Sequence, residues 1–203
     1  MKPRVSVPLV FVAFLLFVFP VVSFSHPHVF LENSLTIIFN QQGLAEVQVK
    51  WVFDEFFSSM IVGDFDRNHN GKLENSEIPG IKKGAFSNLA NFGYFTFIKI
   101  EGKPFKVGYV RDFSATLAGD KLIYEFLIPC HVKATTTFKE FVISQYDPSY
   151  YTMVAFANDR PVRVEGASGF EVRYKIAKNN KVAYYYGQVH PVEMILLFKR
   201  KHG

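Results

Sequence analysis

The chain has 203 residues, is 49% hydrophobic and 17% aromatic, and carries a formal net charge of +5. Its length suits one domain, and its basic residues are dispersed along the sequence, which argues against a nucleic-acid partner. A single cysteine, Cys130, rules out an internal disulfide, so packing or bound metal must stabilise the fold.

Lys2 and Arg4 precede an uncharged run at 5–22 rich in Val, Leu and Phe, the pattern of a secretory signal. Pro20 interrupts the apolar run, and Ser23-Phe24-Ser25 offers small residues where a signal peptidase reads, so cleavage is expected after Ser25. An uncleaved anchor is the competing reading of residues 1–25. With cleavage, residues 26–203 form an exported, periplasmic chain that is not an integral membrane protein, since no later run is long enough to span a bilayer.

Beyond the signal, apolar and polar residues alternate with many β-branched and aromatic side chains. The pattern predicts strands at 28–39, 45–53, 95–101, 107–117, 121–128, 138–145, 151–157 and 170–176, arranged as a mainly antiparallel, sandwich-like sheet. Helical spacing appears only at 54–62 (Phe56, Met60, Ile61) and 75–92 (Ala85, Leu89, Phe92). The expected fold is therefore α+β: a β-rich domain over 26–177 with a helix–loop–helix hairpin inserted at about 54–92. Residues 178–203 are an extension with no assigned role, and the closing Lys199-Arg200-Lys201-His202 reads as a solvated tail.

Between the two helical stretches, the twelve residues from Asp66 to Glu77 fit an EF-hand calcium loop at each defining position. Asp66, Asn68 and Asn70 supply oxygens at positions 1, 3 and 5, Gly71 permits the turn at position 6, Lys72 offers its carbonyl at position 7, and Glu77 can chelate at position 12. Neutral Asn at two positions, the nearby Arg67 and Lys72, and the lack of a second such loop point to weak affinity and a structural clamp. An Asx-rich turn with no ion is the alternative.

Cleavage after Ser25 would expose His26-Pro27-His28. The α-amine and imidazole of His26 can chelate a metal, and His28 can add a second imidazole; such nitrogen donors suit zinc, copper or nickel. Pro27 lacks the N–H that a square-planar amine–amide site requires. Further candidates are Glu32, Asp54, Glu55, Asp147 and His190. Asp147 precedes Pro148, where an Asp commonly organises a turn, and Cys130 reads as a small core residue. Two histidines near a terminus are also compatible with a polar end that binds nothing.

Taken together, His26-Pro27-His28-Val29-Phe30, Trp51-Val52-Phe53-Asp54-Glu55-Phe56-Phe57, the loop from Asp66, Asn91-Phe92-Gly93-Tyr94-Phe95-Thr96 and Tyr146-Asp147-Pro148-Ser149-Tyr150 resemble, in this order, the periplasmic family of domain of unknown function 1007. The resemblance extends from His26 to about Tyr174. It implies a periplasmic component of transition-metal transport, paired with a polytopic permease of the nickel/cobalt type and in some members linked to zinc uptake. It also implies His26 and His28 as ligands, with Asp147 a weaker candidate, and zinc before nickel or cobalt. No nucleophile–base pair or catalytic zinc motif is visible, so no enzyme is expected. The rival readings are a histidine-brace copper protein and an envelope interaction module stabilised by calcium alone.

Overall fold

The computed structural model describes residues 27–201; the signal segment, the cleavage point, His26 and His202 lie outside the described residues. The chain forms two sheets that share one apolar core. In the first strand, β1 (Val29–Asn40), alternate residues turn inward, with Leu35 and Ile37 fully buried. It forms a hairpin with β2 (Gly43–Phe53), where the Asn40 side chain accepts the N–H of Gln42 at 2.8 Å and closes the turn. Beyond β2 lie β6 (Lys121–Lys133) and the edge strand β5 (Arg111–Ala118).

The other edge of β1 departs from the antiparallel expectation. Two short strands, β8 (Thr152–Phe156) and β9 (Val162–Glu165), lie one after the other along it and run parallel to it, Val29 opposite Thr152 and Leu35 opposite Val162. A parallel edge requires a long return connection, and the helical insertion and the strands from β2 to β7 lie between β1 and β8.

The second sheet has the order β10 (Phe170–Lys178), β11 (Val192–Arg200), β7 (Lys139–Gln145), β3 (Thr96–Ile100) and β4 (Lys103–Phe105). Its strand β11 corrects the reading of the last residues as an extension and a tail. Met194, Leu196 and Phe198 are fully buried, and the Phe198 ring meets Phe39 of the first sheet edge-on at 5.3 Å. Lys199 and Arg200 also belong to this strand: Lys199 pairs with Glu171 at 3.1 Å, and Arg200 donates to the Gln41 carbonyl at 3.0 Å.

The insertion begins with one regular helix, α1 (Glu55–Phe65). Asp54 caps it by accepting the N–H of Phe57 at 2.9 Å, and the buried Ser58 hydroxyl accepts the N–H of Leu122 at 2.8 Å, tying the helix to β6. The return is irregular: a four-residue helix α2 (Ile78–Ile81), a π turn (Lys82–Phe86) and a 3-10 stretch (Ser87–Phe95) broken at Phe92, Gly93 and Tyr94. A matched helical hairpin is therefore not what the chain forms. Pro79 can sit only in a first helical turn, and Gly84 lets the Phe65 ring approach so closely that an added Cβ would stand 2.9 Å from its tip. Among the described residues no helix is long and apolar enough to cross a membrane.

Cys130 is buried, and burial pushes its thiol up to about 12, consistent with a small core residue. If β11 belongs to the core, Phe198→Ala will cost about 3–5 kcal/mol in urea unfolding of residues 26–203. A loss under about 1 kcal/mol would fit a peripheral tail.

Candidate functional site

The start of β1 is anchored at three points. The N–H groups of His28 and Val29 both reach the Tyr151 carbonyl, at 2.9 and 3.2 Å, and the N–H of Phe30 donates to the Asp54 carboxylate at 2.7 Å. The His28 side chain is exposed, with its ring 5.0 Å from that of Tyr151. The segment Tyr146-Asp147-Pro148-Ser149-Tyr150-Tyr151 therefore lies directly against the chain leaving His28.

Asp147 is 5% exposed and organises that segment. One carboxylate oxygen accepts the Ser149 N–H at 2.9 Å and the Ser149 hydroxyl at 2.7 Å; the other accepts the Thr152 N–H at 3.0 Å. These bonds are those of an Asx turn. They also tie the carboxylate to the N–H of Thr152, the strand partner of Val29. On its other side the segment meets residues that the sequence leaves unplaced: Tyr184 lies 4.5 Å from Tyr146 and 6.1 Å from Tyr150 between ring centroids. Burial, reinforced by Tyr150, Tyr146 and the Asp147 charge, pushes the Tyr184 phenol up to about 12, so it stays neutral at ordinary pH.

The remaining ligand candidates do not gather here. Glu32 and Glu55 are exposed, Asp54 is engaged as a cap and strand anchor, and the His190 ring is 2.7 Å from the Val182 carbonyl. Among the described residues no three His, Cys, Asp or Glu side chains converge into a ready ligand set; His26 lies outside them.

In the loop after α1, Asp66 and Glu77 are only 5% and 3% exposed. Asp66 accepts the N–H of Gly71 at 2.7 Å and of Asn70 at 3.3 Å, while Asn68 and Asn70 accept from Asn70 and Lys72 at 3.1 and 2.9 Å. The two Glu77 oxygens accept from Arg67 at 2.7 Å and Glu74 at 2.9 Å. Gly71 turns at φ 73°, a conformation glycine adopts without strain. Side-chain oxygens from positions 1, 3, 5 and 12 thus accept N–H groups of the loop's own backbone, as in an Asx-rich turn.

A feature that the sequence pattern does not reveal adjoins the His28 end. A cavity of about 590 Å³ lies over the inner face of the first sheet beneath the insertion, and Trp51, Phe53, Phe57, Phe95 and Tyr124 form much of its wall. Asp147, Ser149 and Tyr151 line it as well. The available signal was the aromatic density of the Trp51–Phe57 and Asn91–Thr96 motifs, which alternation assigns to core or surface but not to a void.

Comparison with known proteins gives a family but no activity. Over 131 residues, 64% of this chain and 93% of the relative, the protein is 30% identical to an uncharacterised 15.5 kDa protein of Spirochaeta aurantia. An uncharacterised protein of Haemophilus influenzae is 25% identical over 141 residues, which cover 68% of this chain and 66% of that relative. The family model described as protein of unknown function (DUF1007) matches residues 11–186, beyond the Tyr174 limit of the motif resemblance and into the tyrosines at 184–186. The chain belongs to the DUF1007 family.

Proposed function

We propose that the protein is a periplasmic carrier of a transition-metal ion, zinc before nickel or cobalt, which it holds at its processed amino terminus and passes to a polytopic membrane permease. The observation that supports this reading is the docking of the chain at His28: its N–H bonds to Tyr151 at 2.9 Å, in the segment that carries Asp147, a carboxylate held by three hydrogen bonds. The His26 amine and imidazole, the His28 imidazole and Asp147 make a nitrogen-rich donor set with one carboxylate, a combination that suits zinc. An exposed His28 leaves the ion reachable by a partner, as transfer requires. Export is part of the chemistry, because cleavage creates the α-amine.

Calcium is a separate matter in this reading. Asp66, Asn68, Asn70, the Lys72 carbonyl and Glu77 would hold it as a structural clamp on the insertion, and their hard oxygen donors would discriminate against the softer ion bound by nitrogen. The irregular return after the loop, with only four residues in α2, offers no second helix to swing open.

Zinc titration of residues 26–203 tests the terminal site. His28→Ala is expected to weaken zinc binding at least tenfold, and one glycine added before His26 is expected to weaken it as well while leaving the calcium response intact. Unchanged zinc affinity in both proteins contradicts the proposal. For the loop, about 10 mM calcium is expected to stabilise the chain by about 1–3 kcal/mol, given a site of roughly 10⁻⁴–10⁻³ M. Glu77→Gln should abolish that gain in thermal unfolding; an equal gain in the variant would assign the effect elsewhere.

A further inference from the structure

We propose that the end of the domain carrying His28 docks on a lipid bilayer, with Phe30, Phe56, Met60 and Met153 entering the lipid interface. The proposal places the terminal site at a membrane surface, but neither the patch nor its test depends on a bound metal.

The patch is assembled from two strands and one helix face. In β1 and β8, Val29, Leu31 and Thr152 turn into the core, so Phe30 and Met153 face outward. The two are partners in the parallel register, both are exposed, and they flank a hollow of about 270 Å³. Asp54 clamps the Phe30 backbone twice, its carboxylate accepting the N–H at 2.7 Å and its own N–H donating to the Phe30 carbonyl at 2.8 Å. Because Asp54 also caps α1, that helix starts beside Phe30. Phe56 and Met60, one turn apart on the helix, are 71% and 47% exposed. Ser58 bonds β6 from the opposite side of the helix, so these two side chains point away from that strand.

Single exposed apolar residues are ordinary. Four large ones brought together by one clamp make a patch, and such patches mark contact with a protein or a membrane.

The adjoining sequence selects lipid. The uncharged run at 5–22 matches the hydrocarbon core of a bilayer in length, and only residues 23–27 separate it from His28. Five residues reach at most about 18 Å, of which the headgroup layer takes roughly 5–8 Å. His28, two residues before Phe30, is pinned to Tyr151 at 2.9 Å. While the run lies in a membrane, the patch is therefore leashed to that membrane's surface. Charge does not lead the contact: Glu32 and Lys121 both line the hollow and an exposed Glu55 opens α1, so neither sign dominates. Apolar burial drives the docking, which makes it insensitive to salt.

Sedimentation of metal-free residues 26–203 with sucrose-loaded phosphatidylcholine vesicles tests the proposal. The bound fraction is expected to saturate with lipid and to change less than about twofold between about 0.1 and 0.5 M salt. Phe56→Ser combined with Met60→Ser should weaken binding at least about tenfold, with the circular dichroism spectrum unchanged. Cys130 is buried, so the thiol dye acrylodan can report on Phe56→Cys and, beyond the other end of β1, on Gln41→Cys. Vesicles should blue-shift the dye at the first position and leave it unchanged at the second. No binding to these protein-free vesicles overturns the proposal and leaves the patch to a protein partner. Equal binding by the folded serine variant, or equal dye shifts at the two positions, overturns it as well. Should the serine variant fail to fold, the dye pair decides.

Discussion

Two backbone N–H groups, those of His28 and Val29, share the carbonyl of Tyr151, and the next one along, Phe30, is held by Asp54. These contacts set where β1 begins, and β1 in turn fixes the register of the strands on both its sides. It pairs with β2 on one side and with β8 and then β9 on the other, so a slip of one residue would turn Leu35 and Ile37 out of the core. The same contacts put His28, the Asp147 turn and the cavity at one end of the domain. Asp54 couples them further, because the carboxylate that anchors Phe30 also caps α1, whose Phe57 is part of the cavity wall.

The proposed reading keeps two kinds of chemistry apart by donor type. The loop after α1 turns its carboxylate and amide oxygens onto its own backbone, and in the proposed reading those hard donors would take calcium. In the proposed reading, the processed terminus would offer imidazoles and an amine, donors for a borderline ion held for exchange. No thiol competes for such an ion, since Cys130 is buried and its thiol is strongly disfavoured from ionising.

Much of the β architecture was legible because half-buried strands announce themselves by alternation, as in β1 and β6. Strand direction was not, because alternation is the same for parallel and antiparallel neighbours; β8 and β9 follow β1 in parallel only because of where the chain returns. The last strand was missed for a different reason. Met194-Ile195-Leu196-Leu197-Phe198 is an unbroken apolar run next to basic residues, and with apolar Ile195 and Leu197 on the outer face as well, the sequence loses the alternation that the burial still shows. In the insertion, the spacing of Ala85, Leu89 and Phe92 suggested a regular helix, but Pro79, Gly80, Gly84 and Gly93 override it locally. At the candidate site, the sequence marked His28 and Asp147 without showing that they share a corner. Their proximity depends on the β1–β8 register, and the cavity on segments far apart in the chain.

X-ray absorption at the zinc edge of residues 26–203 loaded with one equivalent of zinc tests the terminal metal site most directly. A site built from His26, His28 and Asp147 predicts nitrogen and oxygen neighbours at about 2.0–2.1 Å, outer-shell scattering from two imidazole rings, and no sulfur at about 2.3 Å. An all-oxygen shell without imidazole scattering, or a sulfur neighbour, would contradict it.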